Sequence, residues 1–483
     1  LTDLDRADIQ GIVLSGYGHL TCAAYLLLRV RDAVGARGWL ASVATEITNA
    51  SGKQEGFSLN LALTYEGLRA LGLDADALAT FPVPFTEGMA SPKRSHILGD
   101  TNKDAPANWE WGGEKNPVHI LLLVFGADED ALAAQLKVRR EELARFDGGV
   151  EEVLQLSAGR QDDSREHFGF NDGIAQPVIE GGGRKQSQLR RTDHATEVKP
   201  GEFVLGYVNE YDVPADCPTV DPARDPQELL HPYEYPPQLL NENAPAPPPR
   251  RNLGINGSYL VFRQLEQHVP AFWNFVAEAA RKVYGAESGE ASVVRLASKF
   301  VGRWPGGAPL VKSPDRDDPQ LATDNNFGYA ATDKQGLACP IGSHIRRSNP
   351  RDSLGDNPKA ALRAAHRHRL MRRGRSYGHR IKDKYADDKQ PRGLHFICLN
   401  SELERQFEFV QQTWLNNPVF GGLYNETDPL VGNQDKDKCA AVYTVPGDPL
   451  RVRVHDLCSF LSVRGGAYFF LPGLRALRYL GNL

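Results

Sequence analysis

Short apolar runs suited to strands alternate with amphipathic helical stretches through both halves of this 483-residue chain. That rhythm confines the fold to layers of sheet and helix. In the first half, Ile9 to Leu14 and Cys22 to Val30 read as strands and Trp39 to Ile47 as an amphipathic helix. Phe57, Leu59, Leu61 and Leu63 fall on one side of a half-buried strand from Phe57 to Leu63. Thr64 reads as the N-cap of a helix through Leu71 that Gly72 closes. After the strand Val118 to Phe125, Asp128 caps a helix running to about Arg145. The second half repeats the alternation. Strand Tyr259 to Arg263 precedes helix Pro270 to Tyr284, strand Leu394 to Leu399 precedes helix Ser401 to Trp414, and strand Ala467 to Leu471 precedes helix Gly473 to Leu480. No glycine-rich phosphate loop accompanies these strands, so the expectation is an α+β chain of two sandwiches, related in rhythm rather than in residue identities. The glycine-rich, polar stretch from Gly181 to Asp193 sets the expected boundary between a first domain, 1–185, and a second, 195–483. Pro245 to Pro249, in the proline-dense segment from His231 to Arg251, reads as extended surface loop.

Composition narrows the function classes. With 41% hydrophobic and 24% charged residues and a formal net charge of -5, the chain suits a globular protein with a sizeable core. The charge gives no reason to expect nucleic acid or an anionic membrane as partner. Apolar runs such as Ile120 to Phe125 and Tyr25 to Leu28 are far shorter than the roughly 18 residues of a membrane span. The six cysteines, Cys22, Cys217, Cys339, Cys398, Cys439 and Cys458, form no C-x-x-C pair. This argues against a zinc ribbon, an iron–sulfur cluster or a disulfide scaffold, and reads as cytosolic thiols. The chain begins at Leu1 rather than methionine, and a cytoplasmic location is the expectation the thiols support.

Three segments carry candidate chemistry. In CPIGSHIRRSNPRD, His344 follows the structure-breaking Pro340 and Gly342 and precedes Arg346, Arg347 and Arg351. An axial histidine beside cations able to pair with carboxylates makes chemical sense, although a basic surface turn has the same local pattern. In HFGFNDGIAQP, Gly169 and Gly173 flank Asp172 and let the backbone approach something flat, where a desolvated aspartate can move a proton. An ordinary Asp-Gly turn reads identically. In LMRRGRSYG, an arginine can stabilise charge as an O–O bond breaks, or can simply be part of a solvated basic face.

Taken together, GFNDG, the later His344 and RRGRSYG resemble the dye-decolorizing peroxidase family. The likeness extends through IQGIVLSGYGHL, KPGEFVLGYVNEY, NGSYLVFRQLE, VGRWPGGAPL, SELERQFEFVQQTW and GGAYFFLPGLRAL, nearly the whole chain. The resemblance implies two ferredoxin-like α+β domains of the dimeric α+β barrel type. The first carries the GFNDG motif, and the C-terminal one holds one haem b per chain. It implies His344 as the iron ligand, Asp172 as the distal acid–base residue and Arg372 as the distal arginine, with Arg373 its immediate neighbour. Gly374 stands where some relatives carry a polar side chain facing the iron. Leu394 and Phe396 resemble the apolar wall of the distal pocket, and His167 and Arg351 match positions near the haem propionates. Glu404, Glu408 and Asp428 remain alternatives for the carboxylate that accepts a hydrogen bond from the iron-ligating imidazole. The implied activity is reduction of hydrogen peroxide, by way of an oxyferryl species, with oxidation of dyes, phenols or similar bulky reductants. Such reductants are oxidised at surface tyrosines or tryptophans, with Trp414 and Tyr377 among the candidates. The other readings are a haem-handling or iron-releasing protein with little turnover, a non-enzymatic haem carrier or cargo protein enclosed in a shell, and an α+β ligand-binding dimer without haem. The implied assembly is a monomer or homodimer.

Overall fold

The protein is described here by a computed structural model covering residues 3–52, 54–146, 148–161, 163–182, 197–236, 245–433, 439–447 and 450–483. Eight strands form its framework. In the first half these are β1 (Cys22–Val30), β2 (Phe57–Leu63), β3 (Ile120–Gly126) and β4 (Val150–Gly159). In the second half they are β5 (Ser258–Gln267), β6 (Arg375–Tyr377), β7 (Gly393–Asn400) and β8 (Leu461–Leu471). Each half is antiparallel, with its first strand between its third and its last: β2-β3-β1-β4 and β6-β7-β5-β8. Helices α1 (Ala33–Val43) and α2 (Glu129–Arg145) complete the ferredoxin-like first half, and α3 (Val269–Tyr284) follows β5 in the second. The α+β class is therefore as the sequence implied.

The two sheets join edge to edge. β8 meets β2 at Phe470 and Leu63, and β6 meets β4 at Ser376 and Gly159, which closes the strands into one barrel. Strand alternation then sorts the side chains. Tyr25, Leu27, Leu121, Leu123, Phe125, Phe262, Ile397 and Phe469 fill the interior. Leu26, Leu28, Leu61, Leu122 and Val124 face outward beneath the first-half helices, with Trp39, Leu40 and Leu136. An edge-to-face contact of Tyr25 with Phe262 joins the two halves across the interior, and Phe125 packs on the same ring from the first half.

Several local expectations hold in detail. Thr64 Oγ1 accepts from the Gly67 amide at 3.0 Å, and Gly72 ends that helix at φ 94°. Asp128 Oδ1 accepts from the Ala131 amide at 2.8 Å. Others need correction. Ile9 to Leu14 contains a single 3₁₀ turn, Gly11–Val13, rather than a strand. There the Gln10 side chain bonds both the amide and the carbonyl of Leu61, leaving no free ladder. The first helix lies at Ala33–Val43, earlier than Trp39 to Ile47, because Asp32 caps it through the Gly35 amide. Strand β4 was not anticipated. Two of the six cysteines, Cys439 and Cys458, are joined in a disulfide, whereas the sequence reading expected thiols. Most of the expected boundary segment, 183–193, lies outside the described residues. No described helix is long and apolar enough to cross a membrane.

Candidate active site

The outward face of the second-half sheet is not fully covered by helix. Arg263 and Leu265 on β5, with Leu394 and Phe396 on β7, floor a cavity there. Its far wall includes Phe407, Val410, Gln411 and Leu415, from the helical stretch formed by Glu404–Glu408 and Val410–Leu415. That stretch is wound in the wider π form, which recurs near functional sites. Of the residues singled out from sequence, Asp172, His344, Arg351, Arg372, Leu394 and Phe396 all line this one cavity.

His344 opens a short helix, His344–Ser348, behind Ser343. Its Nδ1 meets the Asp428 carboxylate at 2.9 Å, which leaves Nε2 as the ring nitrogen available to a metal. Asp428 is wholly buried, and its other oxygen accepts the Leu430 and Val431 amides, so its orientation is fixed. Burial alone would lower the His344 pKa, but Asp428 outweighs it and raises it. Asp428 thus answers the question left open among three carboxylates. Glu408 instead pairs with Arg94 and accepts from Tyr468, and Glu404 lies 3.8 Å from Arg94.

Asp172 sits on the loop beyond β4, reaching over from the first half. Arg372 comes from the two-residue strand Met371–Arg372 paired with β7. Alternation puts Met371 in the barrel interior and Arg372 into the cavity. Arg372 Nη1 donates to Asp172 Oδ1 at 2.9 Å, and the Gly173 amide donates to the same oxygen at 2.6 Å. Burial pushes the Asp172 pKa up, but Arg372 and that amide prevail and hold it below the usual aspartate value. Arg373 is spoken for elsewhere, donating to the carbonyls of Ile12 and Val13, both at 2.6 Å. A Cβ at Gly374 would lie 2.4 Å from the His395 carbonyl, so this position faces β7 rather than the cavity.

His167 does not join the others. Its Nε2 meets the Tyr377 carbonyl at 2.8 Å, and burial drives its pKa down to about 4. Of the three arginines after His344, only Arg351 lines the cavity. Arg346 pairs with Asp333, and Arg347 donates to the carbonyls of Trp414 and Glu426. Trp414 is only 5% exposed, so it offers no surface to a bulky reductant.

Among the cavity residues that sequence reasoning missed are Arg303 and Arg369. Arg303 donates to the carbonyls of Gly307 and Asp324, Arg351 to those of Asn325 and Phe327, and Arg369 to that of Ala175. None of the three has an ion-pair partner among the described residues. Burial first, and then the neighbouring arginines Arg351 and Arg372, bring the Arg369 pKa down to about 9. A wall of cations lacking anions calls for a ligand that brings carboxylates. A haem meets that demand with its propionates. It also suits the apolar Leu265, Leu394 and Phe396 of the floor and the imidazole nitrogen that Asp428 does not engage.

Comparison with known proteins decides the family. The chain is 31% identical to the multifunctional dye peroxidase of an Amycolatopsis strain over 87% of this chain and 82% of the relative. The chain belongs to the dye-decolorizing peroxidase family. It is also 28% identical to the dye-decolorizing peroxidase of Mycetinis scorodonius, over 98% and 87% of the two chains. A solved dye-decolorizing peroxidase with an engineered haem pocket superposes at a TM-score of 0.78 and 26% identity, covering 99% of this chain and all of the other. No family model matches the chain. As a member of the dye-decolorizing peroxidases, the protein is a haem-dependent oxidoreductase that reduces hydrogen peroxide and oxidises dyes and similarly bulky reductants. Nothing in these likenesses favours the haem-handling alternative.

Proposed function

We propose that the cavity holds one haem b per chain, with His344 Nε2 as the iron ligand and Asp172 and Arg372 as the pair that activates peroxide. The observation that carries this reading is the convergence of separate chain segments on one cavity: an Asp428-braced imidazole, an Arg372-paired carboxylate and three arginines, Arg303, Arg351 and Arg369, without an ion-pair partner among the described residues. Arg351, Arg303 and Arg369 would hold the cofactor's carboxylates, and Leu394 and Phe396 would pack on its apolar body. When bound, the haem supplies the redox-active iron at which peroxide is reduced.

The chain's own groups do the rest. Asp428 fixes the tautomer of His344 by accepting a hydrogen bond from its Nδ1–H and enriches the ring in electrons. Asp172, held ionised, accepts the proton from one peroxide oxygen and returns it to the other, so that water can leave. Arg372 presents a fixed positive charge where negative charge develops as the O–O bond opens. Leu394 and Phe396 keep bulk water and bulky reductants away from this step. Hydrogen peroxide and an organic electron donor are the substrates on this reading. The Cys439–Cys458 disulfide favours an oxidising compartment over the cytosol.

The test is haem titration of the wild type and of His344→Ala, with imidazole added back to the variant. Saturation at one haem per wild-type chain, weak retention by the variant and recovery with imidazole support the assignment. Wild-type affinity and spectrum in His344→Ala would reject it.

A further inference from the structure

Beside the Asp172–Arg372 pair lies a second carboxylate that the mechanism above does not use. Glu166 lines the same cavity. Its Oε2 accepts the Phe168 amide at 2.8 Å and the Gln267 Nε2 at 2.6 Å, and its Oε1 accepts the Phe170 amide at 2.9 Å. Gln267 belongs to β5, in the sheet that floors the site, whereas Phe168 and Phe170 belong to the loop that carries Asp172. One side chain therefore bridges the two halves where they must be in register.

We propose that Glu166 is a positioning residue for Asp172, clamping the loop of residues 164–173 onto β5 and so fixing how far Asp172 reaches into the cavity. This rests on the reading of Asp172 as the acid–base group. The Glu166 amide bonds the Phe170 carbonyl at 3.0 Å, Gly169 turns at φ 96°, and the Asp172 amide meets the Ser164 carbonyl at 3.2 Å. These hold the loop to itself. Attachment to the rest of the molecule comes from the His167 ring on the Tyr377 carbonyl of β6, Arg380 on the Arg165 carbonyl, Arg372 on Asp172, the Asn171 amide on the Pro305 carbonyl, and Phe168 and Phe170, which pack on Phe272 and Trp273 of α3. Glu166 adds the link to β5.

The clamp has an ionisation state of its own. Burial pushes the Glu166 pKa up to about 7, opposed by its three donors and reinforced by the charge of Asp172. The charged side chains sharing the cavity wall with it include Asp172 with Arg372, Arg263 with Asp100, and Asp104. Ionised, Glu166 has lone pairs for all three donors. Protonated, it gives up acceptor capacity and must place a proton among donors.

The experiment compares haem-loaded wild type, Glu166→Gln and Glu166→Asp by amide hydrogen exchange and by the second-order rate of reaction with peroxide. In Glu166→Gln the amide nitrogen must face at least one of the three donors. Exchange at Phe168 and Phe170 should then accelerate while peptides elsewhere and haem content stay unchanged. The peroxide rate should fall by about 10- to 100-fold, the scale of a misplaced reacting group. In the wild type, protection of these two amides, corrected for intrinsic exchange, should weaken below about pH 7, and Glu166→Gln should lose that dependence. If Glu166→Gln fails to load haem, Gln267→Leu opens the same clamp from the strand side. Wild-type exchange at Phe168 and Phe170 in whichever variant loads haem would overturn the proposal. Asp172→Asn is measured alongside. A wild-type peroxide rate in that variant would sink the acid–base reading, while the exchange data would still judge the clamp.

Discussion

The two halves share a strand order but not a surface. In the first half, Leu26, Leu28, Leu122 and Val124 meet Trp39, Leu40 and Leu136 of the overlying helices, and the layer is closed and apolar. In the second, the equivalent outward face carries Arg263, Leu265, Leu394 and Phe396, and the π-wound stretch stands across a cavity from it. A ferredoxin-like sheet can be a sealed core or the floor of a site. What differs is whether a helix or an open space covers it. Chemistry needs the second arrangement and stability needs the first, and edge-to-edge closure of the barrel lets one half brace the other.

The sharpest break in that comparison is His344→Ala, which should abolish stable haem loading while leaving the circular dichroism of the barrel intact. Arg372→Leu should retain haem but lower the peroxide rate constant by about 10³-fold, at the upper end for loss of a preorganised charge. Asp172→Asn should cost about 10²-fold, as expected for losing a general base. These two also differ in pH behaviour. Asp172 has a depressed pKa, so in the wild type it stays ionised, and the peroxide rate holds, below the usual aspartate value. In Arg372→Leu the effect of burial loses its main opponent, the Asp172 pKa rises, and the acid limb of the rate profile should move to higher pH. A stopped-flow pH series on both proteins checks the sign. The smallest effects concern packing. Leu122→Ala, in the sealed half, should destabilise by about 2–5 kcal/mol in denaturant titration. Leu394→Ala, at an existing cavity, should cost under about 1 kcal/mol in haem-free protein, since little new space is created. Equal costs at the two positions would erase the contrast between the halves.

The same contrast explains what was legible in sequence. Cys22–Val30 and Phe57–Leu63 announce themselves because burial imposes long apolar or alternating runs, and Thr64 and Asp128 because capping needs a specific oxygen. Val150–Gly159 escaped notice because its outward residues, Glu152 and Gln155 among them, are polar, and it lies at the edge of its own half's sheet. At the site, the family motifs point to Asp172, His344 and Arg372, which the fold gathers from distant segments. Asp428 could not be chosen from sequence, because its contact with His344 depends on tertiary packing alone. Arg303 and Arg369 look like any solvated arginine until the fold buries them with no ion-pair partner among the described residues. His167 is a different case, a motif residue whose side chain bonds the backbone carbonyl of Tyr377 and does not line the cavity.

The most direct test of the central claim is stopped-flow absorption of the haem-loaded protein mixed with one equivalent of hydrogen peroxide, run beside Arg372→Leu. The expected result is a rapid fall of the wild-type Soret band that recovers as a dye is consumed, with a fall about 10³-fold slower in the variant. A Soret band indifferent to peroxide in the wild type, or equal rates in the two proteins, would contradict the assignment of this cavity and this arginine to peroxide activation.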